Sequence, residues 1–283
     1  MTLKTYNVPM IYDLHTHTSA SDGSLAPCEL LALAIEHGVG VLAITDHDTL
    51  EAYDVIRSAE SSPLQIVQGI ELSTTWAGRG IHVVGLNLDA HSKPLLAGIA
   101  RQSVARIERA RKISRRLARS IGIDDPFESV LAIAGASAIG RPHFARHLVA
   151  VGVVKDTRTA FRKYLGAGKP GDVRDGWAEM DEVIGWIRGA GGTAVLAHPA
   201  QYRMTNNKLR LLLEDFTAAG GGAMEVVSGS QTPAVTENLA SLARDFGLAA
   251  SCGSDFHHPE QTWSLPGRFA ELPANLKKVW ELW

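Results

Sequence analysis

The sequence predicts an α/β fold, and three observations predict it. Seven short apolar runs of strand type recur along the chain. Helix-like segments with their own start and stop signals separate most of these runs. Residues suited to metal and acid-base chemistry sit repeatedly where the runs end. Strands are expected near Met10–Leu14, Val39–Thr45, Leu64–Leu72, Ile81–Leu88, Thr193–Ala197, Met224–Val227 and Leu248–Ser254. Strands alternating with helices imply a largely parallel sheet, and about seven of them suggest a barrel, with an open doubly wound sheet as the other arrangement.

The elements follow in order. Between the first two strands, Pro27 suits the first turn of a helix and Gly38 stops it. Leu72 and Ile81 are separated by Ser73-Thr74-Thr75-Trp76-Ala77-Gly78-Arg79-Gly80, too short for a crossover helix. That connection is a hairpin, so the strand from Ile81 runs antiparallel to its predecessor. From Leu96 to Asp175 the strand signal disappears, and Ile99–Ile121 is a helical stretch rich in Arg and Lys. Residues 97–175 are therefore expected to form a helical insertion over one end of a barrel built from residues 1–96 and 176–283. Thr232-Pro233 opens a late helix that Gly247 closes.

The bulk properties narrow the class. At 283 residues and 45% apolar content, the chain can bury a full core as one large domain or two modest ones. A formal net charge of -2 argues against a nucleic-acid coat protein. The two cysteines, Cys28 and Cys252, lie far apart in apolar surroundings, which leaves a disulfide framework or a CxxC zinc site without support. Neither a signal-peptide pattern nor an apolar run of membrane-spanning length is apparent, so a cytoplasmic protein with no membrane or obligate protein partner is expected.

Eleven histidines carry the chemical signal through their positions. The first strand ends in Asp13-Leu14-His15-Thr16-His17, and alternation places His15 and His17 on one face. Asp22 follows in the next loop. Later strands end in Asp46-His47-Asp48, Ile70-Glu71, Ala197-His198 and Ser254-Asp255-Phe256-His257. His82 opens the antiparallel strand and so belongs to the same end of the sheet. Active sites of parallel barrels form at that rim. Imidazoles and carboxylates without thiolates suit Zn, Mn or Fe. Nine candidates (His15, His17, Asp22, His47, Glu71, His82, His198, Asp255, His257) exceed the needs of one ion and suit two or three sharing a bridging carboxylate. A lone strand-end histidine is more often structural than a ligand; eight strand-end coincidences are not. Asp46 either supports His47 from behind, or Asp48 merely caps the following helix, the two readings weighing about equally.

His-x-His with a downstream Asp-Gly, Ile-Thr-Asp-His-Asp, Gly-Ile-Glu, Ala-His-Pro and Gly-Ser-Asp-x-His occur in order along the chain outside the insertion. Together they resemble the PHP (polymerase and histidinol phosphatase) superfamily. The resemblance implies a distorted seven-stranded (β/α) barrel with a trinuclear metal centre. It implies a first metal on His15, His17, Glu71 and Asp255. Glu71 would bridge to a second metal on His82 and His198, and Asp22, His47 and His257 would hold a third. Some relatives carry His where this chain has Asp22. Manganese is the expected ion, with iron or zinc as alternatives. The insertion and Gly140-Arg141-Pro142-His143-Phe144-Ala145-Arg146 resemble the branch of 3′,5′-nucleoside bisphosphate phosphatases and a related 5′-to-3′ exoribonuclease.

The implied reaction is hydrolysis of the 3′-phosphate of a 3′,5′-nucleoside bisphosphate, pAp to AMP and phosphate, with paired metals generating a bridging hydroxide. Glu71, Asp255 and His257 are the residues expected at the chemistry. The insertion holds about twice as many Lys and Arg as Asp and Glu, a grip for anionic substrate. Arg141 and His143 lead as phosphate binders, followed by Lys169, with Arg203 and Asn207 reaching from the rim. Arg101, Arg109, Arg115, Arg116 and Arg119 read as a solvated helix face. Trp76 and Trp177 are either base-stacking residues or fillers of local cores. Three other functions are weighed: an exonuclease on short 5′-phosphorylated oligonucleotides with the same metals, an amidohydrolase-type C–N hydrolase, and a non-catalytic metal-bound module. The C–N hydrolase ranks low because no lysine sits at these strand ends.

Overall fold

The computed structural model describes residues 10–57, 63–174 and 176–283. Seven strands form one sheet in sequence order: β1 (Ile11–Asp13), β2 (Val39–Ile44), β3 (Gln65–Trp76), β4 (Arg79–Leu86), β5 (Thr193–Leu196), β6 (Ala223–Ser228) and β7 (Ala249–Gly253). β1–β2–β3 and β5–β6–β7 pair in parallel, while β4 runs antiparallel to both neighbours. The sheet curls until its ends meet. The Leu14 N–H donates to Cys252 O at 3.0 Å, the Asp255 N–H to His15 O at 2.9 Å and the His17 N–H to Phe256 O at 2.9 Å. The result is the expected distorted seven-stranded (β/α) barrel, nearly closed, rather than an open sheet. Closure depends on Gly253: a Cβ there would lie 2.4 Å from His15 Cβ, so no larger residue lets β7 approach β1 this closely.

The hairpin is present but shorter in loop than its sequence indicates. Strands β3 and β4 stay paired to Trp76↔Arg79, leaving only Ala77-Gly78 at the turn, both at positive φ (47° and 70°). The hydroxyl-rich Ser73-Thr74-Thr75 reads as loop yet forms strand because its polar groups are used. The Thr74 hydroxyl donates to Ala178 O at 2.7 Å and the Ser73 N–H to Asp48 Oδ1 at 2.8 Å.

Helices α1 (Pro27–Glu36), α2 (Glu51–Ile56), α7 (Met180–Gly189), α8 (Asn206–Ala218) and α9 (Pro233–Asp245) belong to the barrel portion. Alternation sorts the strand residues. Leu14, Val41, Ala43, Val67, Val84, Val195 and Ala249 form one inner cluster, while Leu72, Val83, Leu196, Met224 and Ala250 pack with the helices. Tyr12 and Trp280 stack at 3.9 Å beside the inner cluster.

Between β4 and β5 run α3 (Lys93–Ile121), α4 (Phe127–Ala134), α5 (Arg141–Ala150) and α6 (Thr157–Ala160), with a π-helical turn at Phe161–Leu165. Ile113, Leu117, Phe127, Val130, Phe144, Leu148 and Leu165 make a hydrophobic cluster separate from the barrel's. The buried face of α3 runs Leu95, Gly98, Gln102, Arg106, Ala110, Ile113, Leu117, a helical spacing whose middle members are polar. Its N-terminal half rests on the barrel; at Gly98 a Cβ would lie 2.4 Å from the Trp186 ring of α7. Among the described residues, no helix is long and apolar enough to cross a membrane.

Candidate active site

The rim where β1, β2, β3, β5 and β7 end, and β4 begins, gathers the nine histidines and carboxylates. The chain reaches it by sharp turns. Asp48, His198 and Asp255 all have positive φ (53°, 30° and 55°). Non-glycine residues take that conformation at a cost that surrounding structure must offset, and such residues concentrate at functional sites.

Three overlapping groups result. In the first, His15 Nε2 and His17 Nε2 lie 3.0 Å apart. Each is 3.3 Å from Glu71 Oε2, and they stand 3.6 and 3.4 Å from Asp255 Oδ1. In the second, Glu71 Oε1 meets His82 Nδ1 at 2.8 Å and His198 Nε2 at 2.9 Å. In the third, Asp22 faces His257 Nε2 at 3.4 Å and both His17 Nδ1 and His47 Nε2 at 3.8 Å. Glu71 is thus shared between two groups, one oxygen to each, and His47 Nδ1 approaches it at 3.2 Å.

The electrostatics of this cluster are those of a cation site. Burial works against every charge here, yet Glu71 and Asp22 sit well below the usual carboxylate range because imidazoles surround them. Burial likewise pulls His257 down, but Asp22 and Asp255 more than offset it and raise it to about 10. Buried carboxylates this close together require positive charge. The donor set tests well for divalent ions. His17, Asp22, His47 and His257, and separately His15, His17 and Glu71, and His47, Glu71 and His82, present ligand atoms within 4.8 Å of one another. Nδ1 of His17, of His47 and of His198 is buried without a hydrogen-bond partner. Buried imidazole nitrogens are ordinarily satisfied, and hard or borderline divalent ions suit this mixture of N and O donors.

Residues outside the nine hold them in place; sequence reasoning missed Glu225, Gln201 and Asp13 and gave Asp46 and Asp48 other roles. Glu225 is buried on β6, accepting from His15 Nδ1 at 2.5 Å and from the His198 N–H at 2.6 Å. Its signal was available: Glu225 is a lone acid inside the apolar run Ala-Met-Glu-Val-Val. Gln201 Nε2 donates to Asp255 Oδ2 at 2.9 Å. Asp13 accepts the N–H groups of Ser254 and Gly267 at 2.8 and 2.9 Å, tying β1 to the chain around Asp255. Asp46 accepts from the Thr18 N–H at 2.8 Å and from the Thr18 and Ser21 hydroxyls, bracing the loop between His17 and Asp22. Asp48 caps no helix. Its carboxylate receives Ser73 N–H, Gln102 Nε2 and the Arg106 guanidinium (Nε at 2.8 Å), joining the insertion to the barrel.

A cleft of about 320 Å³ opens from the cluster toward the insertion. Asp22, His47, His82 and His198 of the cluster line it, and so do Arg79, Arg106, Arg109, Arg141 and Arg174, which with Trp177 make an arginine wall. Arg106 and Arg109 lie over the Trp177 ring, 5.2 and 5.3 Å from its centre. Arg109 therefore does not belong to the solvated helix face. Its Nε donates to Val173 O at 2.7 Å, and burial together with Arg141 and Arg106 lowers it to about 9. Arg101, Arg115, Arg116 and Arg119 remain exposed.

Of the residues expected to grip substrate, Arg141 lines this cleft. His143 is buried beneath it, its Nδ1 accepting the Gly140 N–H at 3.0 Å at the start of α5. Lys169, Arg203 and Asn207 are exposed and do not line the cleft. Trp177 is at the cleft, whereas Trp76 bonds Asp215 at 2.7 Å outside it.

A near-closed α/β barrel with a buried imidazole–carboxylate cluster at its rim defines a barrel hydrolase. The PHP domain family matches residues 13–165, and the chain belongs to the PHP family. The 5′-3′ exoribonuclease Rnm of Escherichia coli (strain K12) is 42% identical over 280 residues, 98% of this chain and 95% of that one. The 3′,5′-nucleoside bisphosphate phosphatase of Chromobacterium violaceum is 40% identical over 270 residues, 95% of this chain and 94% of that one. A solved structure from Chromobacterium violaceum, described as an amidohydrolase with bound sulfate, superposes with a TM-score of 0.88 at 40% identity, covering 96% of this chain and 95% of the other.

Proposed function

We propose that the chain hydrolyses the 3′-phosphate of a 3′,5′-nucleoside bisphosphate. The observation that carries this reading is a single cleft lined by both a cation-demanding cluster and a set of arginines. A substrate with two phosphates on one nucleoside matches both linings at once. The names of the two relatives support it, since both point to nucleotide 3′-phosphoesters. The division into a barrel and an insertion of residues 97–175 belongs to this reading, as the insertion supplies Arg106, Arg109 and Arg141.

His15, His17, Glu71 and Asp255 would hold one divalent ion, Glu71, His82 and His198 a second, and Asp22, His47 and His257 a third, with manganese as the ion favoured. Such ions would supply Lewis acidity and a water of lowered pKa as the nucleophile. The remaining work falls to the chain. Glu225 fixes the ring of His15 and the backbone of His198, while Gln201 steadies Asp255. Arg141 and Arg109 would take the distal phosphate through guanidinium N–H donors, while Arg106, engaged by Asp48, Ile139 and Ser73, adds its charge beside Trp177. Positioning and charge neutralisation dominate phosphoryl transfer, so this pre-set geometry is the catalytic contribution.

A second reading is carried by the same cleft. Releasing a nucleoside 5′-phosphate from the end of a 5′-phosphorylated oligonucleotide breaks the same bond, between the 3′-oxygen and phosphorus. The scissile group then differs only in carrying one more ester.

The test is product release by the manganese-loaded protein from pAp, 5′-AMP, histidinol phosphate and a short 5′-phosphorylated RNA, with Asp255→Asn as control. Asparagine tolerates the positive φ of that position. Phosphate from pAp and little from AMP is the expected result. Stepwise mononucleotide release from RNA at the higher rate would make the exonuclease the principal activity. Silence on all four would overturn both.

A further inference from the structure

Among the described residues, one acid stands in the arginine wall, and its placement is informative. Asp172 lines the cleft beside Arg109, Arg141 and Arg174. Its side chain is 11% exposed and is held from two directions. Arg174 Nε donates to Oδ2 at 2.9 Å and Nη2 to the same oxygen. The Gly168 N–H donates to Oδ2 at 2.7 Å, anchoring the glycine-rich loop. Although burial opposes charge on Asp172, these partners keep the carboxylate ionised.

Behind Asp172 and Arg174 lies a second, more open cavity of about 480 Å³, lined also by Thr75, Gly78, Arg116 and Glu179. Asp172 and Arg174 line both cavities, so the pair is the partition between them. On the far side, Arg116 Nη1 donates to the Asp172 carbonyl at 3.4 Å and its guanidinium is otherwise exposed. There is room past the partition, and a cation in it, but the way through runs over a fixed negative charge.

We propose that Asp172 is a specificity-determining residue that restricts the cleft to nucleosides carrying a single phosphate on the 5′ side. This rests on the reading that the arginine wall takes the 5′-phosphate of the nucleotide. A monophosphate ends at Arg106, Arg109 and Arg141. The next phosphate of a 5′-diphosphate would have to occupy the partition, where it meets an anchored carboxylate whose neighbouring guanidinium, that of Arg174, is already committed to it. Like charges brought together in a partly desolvated site repel, which is how a binding site rejects a competitor rather than merely failing to attract it. Replacing the acid does two things at once. It removes the repulsion and frees Arg174 as a donor, connecting the cleft to Arg116.

The experiment compares kcat/KM for adenosine 3′,5′-bisphosphate with that for adenosine 3′-phosphate 5′-diphosphate, following loss of the 3′-phosphate. Wild type, Asp172→Asn, Asp172→Ala and Asp172→Ala/Arg116→Ala are measured side by side. Wild type is expected to prefer the bisphosphate by roughly 100-fold, and both single variants to narrow that ratio to within about tenfold. Asp172→Asn keeps the shape and an acceptor for Gly168, so it separates charge from folding. The double variant should lose the diphosphate activity that Asp172→Ala gained. Equal use of both substrates by wild type, or a ratio unmoved by either single variant, would overturn the proposal. Absence of turnover on the bisphosphate in wild type would instead reject the underlying function, so the two failures are distinguishable.

Discussion

The two linings of the cleft are built differently. In the cluster, His15, His17, His47, His198, Asp255 and His257 follow closely on strand ends, Glu71 and His82 lie within the paired β3 and β4, and the backbone itself aims them. His198 and Asp255 occupy strained positive-φ positions directly after β5 and β7, and Glu71 projects from β3. In the arginine wall, Arg79 opens β4, while Arg106, Arg109, Arg141 and Arg174 come from a helix, a helix start and a loop and are held by side-chain bonding rather than backbone geometry. Arg106 shows the contrast best: one guanidinium meets Asp48 Oδ2, Ile139 O at 3.1 Å and Ser73 Oγ at 3.2 Å while lying over Trp177. A strand-borne cluster can be dense because barrel closure fixes it. A helix-borne wall must be cross-linked to the barrel, and the Asp48–Arg106 pair is that link. The difference teaches where each lining is vulnerable.

In the cluster, Glu71→Gln should cut turnover by about 10³-fold or more and lower metal content, since one carboxylate serves two groups. Metal analysis alongside kinetics checks it; full metal content with full activity would remove Glu71 from the site. At the wall, Arg106→Ala leaves Asp48 buried without its cation and should destabilise by about 3 kcal/mol. Thermal melting reads the loss, and a melt unchanged from wild type would show that the insertion docks by other means. Glu225→Gln should weaken metal binding by about 10- to 100-fold while leaving the fold intact. Titration of metal into the metal-free protein measures it, and wild-type affinity would reduce Glu225 to packing.

A fourth effect depends on pH. Burial first, then Arg146, depresses His143 from 6.5 to about 4. The folded state keeps this imidazole neutral, whereas the unfolded chain protonates it below 6.5. Its stabilising contribution is therefore complete above pH 6.5 and lost as pH falls toward 4. Between pH 7 and pH 5 the loss amounts to about 2 kcal/mol. His143→Asn, which retains an acceptor for the Gly140 N–H, should shrink the pH dependence of the urea midpoint by that amount. A slope identical to wild type would contradict it. The smallest effect is at Arg101, on the same helix as Arg106 but facing out. Its pair with Glu182, at 2.6 Å, is about half exposed, so Arg101→Ala should cost less than about 1 kcal/mol and leave kcat/KM alone. A larger loss would mean that α3 is not divided into a docking face and a solvent face.

Legibility in the sequence follows the same division. His15, His17, His47, His198, Asp255 and His257 could be read because each marks the end of an apolar run, and strand ends of a barrel converge by construction. Asp22 and His82 followed from the loop after β1 and from the hairpin. Glu225 was readable in principle, as an acid in an all-apolar strand, and was missed because it lies within the run rather than at its end. Arg106 and Arg109 were hidden for a different reason. A helix rich in arginine looks solvated all round until its buried row is known, and Gln102 and Arg106 occupy that row. His143 illustrates the reverse: a polar residue beside Arg141 that turns inward to serve the start of α5.

By itself, the sequence determined the α/β class, the hairpin reversal of β4 and the histidine–carboxylate cluster. These are set by local patterns: alternation, punctuation, and the residues that end each strand. Tertiary structure alone decided which of sixteen insertion cations line the cleft, that Asp48 bonds helix to barrel, and that Asp172 divides one cavity from another. The physical reason is range. Strand periodicity fixes a side chain's direction from its nearest neighbours, whereas a charged side chain on a helix or loop takes its role from whichever partner the fold brings against it.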